Sequence, residues 1–179
     1  MGDITTPRPV LRIVAAFSCY PDSLKWGASL AERCWGPIAL TSEPFLLTET
    51  TYYDQEMGPG QSKQFWAFAD LQSPGELPDW KRESNQWEEQ HAQQADWPVP
   101  RPLNLDPGYI SEAKLVLATT KDRDHRIYLR DGIFAEVTLH YRRKAWEAWP
   151  WTYPDYQRPE FHEFFNRCRE YLRKSLQSL

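Results

Sequence analysis

The sequence predicts a single α+β domain over 1–179, built as a mostly antiparallel sheet covered by three or four helices. A ferredoxin-like core with additions is the first topology. Three observations carry this prediction. A chain of 179 residues with 41% hydrophobic content suits one full core and is short for two. An apolar run at 11–19 is followed at once by an amphipathic helical pattern, the β-α opening of such folds. Alternating hairpin segments and a C-terminal helical stripe close the chain, so strands and helices are mixed rather than regularly alternating.

After a proline-containing tail at 1–10, the 11–19 run ends at Tyr20-Pro21-Asp22 and reads as a central strand. Asp22 or Ser23 can cap the next helix, whose Leu24, Ala28, Ala31, Cys34 and Trp35 share one face, and Gly36-Pro37 stops it. A strand over 38–47 is interrupted by Pro44, which removes a ladder donor and suggests an edge or a bulge. A long polar, glycine-containing connection leads to a third strand in FWAFADL; connections of that length are often functional. Ser73-x-x-Glu76 has capping-box spacing, and Leu77, Trp80, Ser84, Trp87 and His91 recur at helical spacing, with Pro78 as a competing start. WPVPRP at 97–102 is a stiff, extended connector.

The stretch 104–141 holds the longest pattern. Asp106-Pro107-Gly108 reads as a turn, and 110–119 as a helix or a strand, with Ser111-Glu112-Ala113-Lys114 favouring helix. For the hairpin, a three-residue loop Arg130-Asp131-Gly132 with Gly132 left-handed pairs Leu129 with Ile133, Ile127 with Ala135 and His125 with Val137. One face is then apolar through Leu139, while Tyr128 meets Phe134 and Arg126 meets Glu136 on the other. The aromatic crossing at 146–156 caps the core. From Pro159, Phe161, Phe164, Phe165, Cys168, Leu172 and Leu176 make one helical stripe over 159–178.

A net charge of -4 and a pI near 5.6 give no case for a general nucleic-acid or membrane-surface binder. No window approaches the length of a membrane helix, no secretory pattern opens the chain, and three well-separated cysteines read as reduced core thiols. A cytoplasmic protein is expected. Neither GxxxxGK[ST] nor GxGxxG occurs. Metal binding is not expected: Glu136 and His140 on one strand would lie about 13 Å apart at roughly 3.3 Å per residue. Ser18, Ser111 and Cys19 lack the context of an activated nucleophile.

What remains is a convergence of three segments, 104–109, 121–126 and 52–58. Lys121, His125 and Arg126 would bind a small anionic ligand, Glu136 would orient Arg126, and Tyr53 and Asn104 would complete the pocket. Asp106 or Glu56 is the candidate base, with catalysis and any cofactor left open. An Arg126–Glu136 pair is worth about 0.2–1 kcal/mol if exposed, whereas truncating one partner of a buried pair costs about 3–5 kcal/mol. Tyr52, Tyr53, Trp149, Trp151, Tyr153 and Tyr156 could stack a base or sugar ring, with core capping as the plainer reading. The alternative function is a non-catalytic interaction module using this aromatic surface for a protein partner or a second copy.

The segments SEPF at 42–45, TYYDQEMG at 51–58, NLDPGY at 104–109, LATTKDRDHRIYLRDGIFAEVTL at 117–139, WTYPDY at 151–156 and FFNRCREYL at 164–172 carry a resemblance. With them the chain resembles the bacterial family known as domain of unknown function four-four-one-six. The resemblance implies a family without a mechanism. Some members are labelled GTP-binding, but the absent phosphate loop leaves that function without support here. The sequence departs from the family pattern around Pro78 and in WPVPRP.

Overall fold

The computed structural model describes residues 2–49 and 53–178. In chain order these form β1 (Val10–Ser18), α1 (Pro21–Trp35), β2 (Ile38–Thr41), β3 (Phe45–Leu46), the short α2 (Asp54–Met57) and β4 (Ser62–Gln72). They continue with α3 (Leu77–Ala92), β5 (Asn104–Ile110), β6 (Lys114–Thr119), β7 (Ile127–Arg130), β8 (Ile133–Arg142), β9 (Ala145–Ala148) and α4 (Pro159–Gln177). Among the described residues the strands make one nine-stranded antiparallel sheet in the order β2-β4-β1-β5-β6-β8-β7, with β3 on β4 and β9 on β8.

The segment β1-α1-β2-β4-α3-β5 lays down the order β2-β4-β1-β5, with each helix crossing over one strand. That is the ferredoxin-like arrangement. Both of its helices cover one face, where Val10, Val14 and Ala16 of β1 meet Trp66, Phe68, Leu77, Trp80 and Leu105. On the opposite face Leu11, Ile13, Ala15 and Phe65 pack against Phe161, Phe165 and Leu172 of α4. The strict period-2 alternation of β1, buried on both faces, makes it the spine of the molecule. Arg12 interrupts the first face: its guanidinium donates to the Trp35 carbonyl at 2.5 Å and lies over Trp35, Phe68 and Trp80, and burial pulls its pKa down to about 10.

Several local expectations change. Asp106-Pro107-Gly108 is no turn but the middle of β5: β1 pairs with all three residues while β6 reaches only as far as Gly108, so on its open side Pro107 has no ladder bond to lose. The 110–119 segment is a tight turn, closed by Ser111 N–H to Lys114 O at 2.9 Å, followed by β6. Burial of Leu115, Val116, Leu117 and Ala118 on both faces overrides the helical propensity of the preceding residues. The 38–47 strand divides into β2 and β3 around Pro44. α3 begins at Leu77 after a 3₁₀ turn over Pro74–Glu76, whose Ser73 hydroxyl accepts from Gly75 N–H. Of the cysteines, all free, Cys168 is buried while Cys34 lies on the outer side of α1.

In the hairpin, Asp131 (φ 54°) and Gly132 (φ 75°) form a two-residue turn, and Arg130 rather than Leu129 pairs with Ile133. A bulge at Leu129 then restores the expected pairs Tyr128–Phe134 and Ile127–Ala135, while His125 falls outside the ladder. Because β7 is an edge strand, Ile127 and Leu129 are exposed instead of facing a core. Gly132→Ala should cost about 1 kcal/mol, read from urea denaturation, since a Cβ disfavours the left-handed conformation.

Candidate functional site

The site arises where β5 and β6 part. They pair from Gly108–Leu117 to Ile110–Leu115, and at Gly108 the approach is so close that an added Cβ would meet the Val116 carbonyl oxygen at 2.3 Å. Towards Asn104, β5 stays on β1 but leaves β6. Leu105 therefore presents an N–H and a C=O with no strand to receive them, and α3 supplies the partners. Glu88 Oε1 accepts the Leu105 N–H at 2.7 Å, while Lys81 Nζ at 2.9 Å and Ser84 Oγ at 3.3 Å donate to its carbonyl. Residues 81, 84 and 88 share a helical face, so one polar stripe of α3 does the work of a strand edge. Pro107, two residues on and so directed to the same side as Leu105, brings no N–H that would need a partner.

A cavity of about 850 Å³ opens at this parting. Three ion pairs with nearly buried members line it. Lys63 on β4 sits 2.5 Å from Asp155, with the side chains 8% and 11% exposed. Lys81 reaches Asp106 at 2.9 Å. Asp106 is in register with Ala15 on the α4 face, so the Lys81 ammonium crosses the gap from the α3 face. Asn104 Nδ2 donates to the second Asp106 oxygen at 2.8 Å, and Arg101 donates to Asn104 Oδ1. Arg126 Nε donates to Glu136 Oε2 at 2.8 Å with the side chains 4% and 3% exposed, and its other nitrogens donate to Lys121 O at 2.9 Å and Tyr153 Oη at 3.0 Å.

Burial opposes charge on Asp106, Lys81 and Glu88, and their partners differ in how far they offset it. For Asp106, burial raises the pKa, but Lys81 and Asn104 outweigh it and hold the carboxyl below its ordinary range. Burial would lower the Lys81 pKa, yet Asp106 and Glu88 bring it above normal. Glu88 goes the other way: burial pushes its carboxyl up to about 7, with Lys81 compensating only in part. The Tyr156 hydroxyl, buried beside Asp155, Asp106 and Glu136, is held well above its usual pKa.

Of the residues singled out in sequence, Tyr53, Asn104, Asp106, Lys121, Arg126 and Glu136 line this one cavity. Glu56 stands at its edge, where it pairs with Arg101 at 2.8 Å and is more than half exposed. His125 lies behind Glu136, its Nε2 3.3 Å from Oε2, and stacks on Trp151. Tyr52 lies outside the described residues. The rings run His140, Trp149, Trp151, His125, the two tryptophans stacked at 5.2 Å, so they engage one another. Trp149, Trp151 and Tyr153 are still 37%, 37% and 44% exposed.

Lining residues missed in sequence include Lys63, Lys81, Glu88, Arg101 and Asp155. Lys63 alternates with Phe65 and Ala67 on a buried strand face, a lysine where an apolar residue belongs, and that was a readable signal. The stripe of 81, 84 and 88 runs beside the apolar stripe of α3 and was readable too. Nothing local marks Asp155. Among the described residues no group of three or more His, Cys, Asp or Glu could hold a metal ion, and no helix is long and apolar enough to cross a membrane.

Fold and site together define a class: a ferredoxin-like α+β core whose sheet is widened beyond β5 and split there around a charged cavity. The chain belongs to the family described as Domain of unknown function (DUF4416), whose model matches residues 8–171. No curated protein and no solved structure matches the chain.

Proposed function

We propose that the cavity binds a small anionic metabolite, gripped by Arg126, Lys121 and Lys63, with Glu136 and Asp155 holding two of the cations in place. One observation carries this reading: three ion pairs, each with at least one member under a tenth exposed, converge on an open cavity. Desolvating such pairs is costly, and a sheet interior filled by apolar side chains would be at least as stable. Clusters of that kind inside a cleft accompany binding sites. Tyr53 and Asn104 supply neutral polar contacts, and Asp106, pinned by Lys81, acts as a fixed charge.

A thermal-shift series with sulfate, phosphate, malonate and nucleotides tests it. A bound anion at a hundred times its Kd raises stability by about 2.7 kcal/mol. The double substitution Arg126→Met with Glu136→Gln leaves no stranded charge and is expected to abolish the shift; a shift that persists there removes Arg126 from the site. A second reading, a partner-binding module without chemistry, draws support from the exposed Trp149, Trp151 and Tyr153. It predicts that Trp149→Ala with Trp151→Ala abolishes self-association or partner binding, and that no anion stabilises the wild-type protein.

A further inference from the structure

Glu88 is placed unlike the other carboxylates of the cavity. One oxygen is committed to the Leu105 N–H at 2.7 Å, a bond that a neutral side-chain oxygen could accept equally well. The Lys81 ammonium beside it is already divided between Asp106 and the Leu105 carbonyl, both at 2.9 Å. The Arg101 guanidinium stands 3.8 Å from Oε2, beyond hydrogen-bond length, and itself bonds to Glu56 and Asn104. Lys81 on its own helix, Asp106 on β5 and Arg101 ahead of β5 are the charged groups facing it. Two carboxylates thus share one site and one lysine. Asp106 takes the ion pair, and Glu88 is left with its second oxygen at the cavity wall.

Resting on the anion-binding reading, we propose that Glu88 is the acid–base residue of the cavity, presenting a carboxyl proton to the bound anion and exchanging it with the ligand's own basic atom. In that exchange the Oε2–H bond breaks and a bond from hydrogen to the ligand atom forms, leaving a carboxylate next to Arg101. The reverse transfer restores the starting state, and no electrons leave either partner. Asp106 remains ionised throughout as the fixed counterpart, an arrangement in which two environments push two carboxyl groups apart. The raised pKa of Glu88 is in keeping with this role.

Sulfate, which has no proton to exchange near neutral pH, is the probe. Calorimetry at pH 7 in two buffers of different ionisation enthalpy should show wild-type protein taking up a fraction of a proton per sulfate bound. Between pH 7 and 9 sulfate affinity should fall by up to about tenfold per pH unit. Glu88→Gln keeps an acceptor for Leu105 N–H and should bind sulfate with no proton uptake and a flat pH profile. Sulfate binding without proton uptake in the wild type overturns the role of Glu88 and leaves the anion site standing, and so does a Glu88→Gln variant that keeps the wild-type slope. If no concentration of sulfate binds, the anion-binding reading fails and this proposal falls with it.

Discussion

Lys81→Met should lower stability by about 3 kcal/mol, the low end of the range for breaking a buried pair because a third of the Asp106 side chain reaches water. The loss has two parts. Asp106 keeps its charge with Asn104 as hydrogen-bond donor and Lys63 as its remaining cation, and the Leu105 carbonyl keeps the Ser84 donor. Adding Asp106→Asn removes the stranded charge and should recover part of the loss, so the double-mutant cycle reports strong coupling. Urea denaturation of the four proteins measures it. Additive effects in that cycle would show that Lys81 and Asp106 do not act on each other, and the crossing of the gap by the ammonium would then lose its energetic meaning.

Gly108→Ala is expected to cost about 3 kcal/mol, at the upper end for overpacking, because its Cβ would meet a backbone oxygen that no rotamer change can move. The only relief is to push β6 away from β5 at the last point where they pair, which widens the parting and loosens the cavity wall. Hydrogen exchange should therefore speed up at Val116 and Leu117 as well as at residue 108. An alanine accepted with less than about 1 kcal/mol of loss would mean that β5 and β6 slide apart freely, and that Gly108 does not fix where the sheet opens.

Most of the ferredoxin-like core was legible in the sequence because its elements other than β5 are locally consistent: the continuous apolar run of β1, the one-sided stripes of α1 and α3, and the turn residues between them. The central segment was misread at Pro107. A proline argues against a central strand only when a neighbour needs its N–H, and whether β6 lies alongside is a tertiary fact. Ser111 to Lys114 has helical propensity, but burial of the next four residues decides for a strand. The hairpin slipped by one residue at its tip, since a bulge at Leu129 satisfies both the two-residue turn and the expected pairs above it.

Site residues were legible to the degree that chemistry and spacing coincide. Arg126 and Glu136 face each other in the hairpin pattern, and their pairing followed from it. Glu88 could be placed on a polar stripe of α3, but its role was invisible because it depends on Leu105, a backbone group freed by the departure of β6. Lys63 and Asp155 are 92 residues apart and meet only through the placement of the 3₁₀ turn over Pro154–Gln157.

We take the parting of β5 and β6 to create an anion site. Amide chemical-shift mapping with sulfate tests it most directly. The predicted result is a saturable set of shifts confined to residues 62–64, 87–89, 104–106, 118–126, 135–137 and 153–156, absent in the Arg126→Met, Glu136→Gln protein. Shifts that scatter over the surface lysines and arginines without saturating would contradict it.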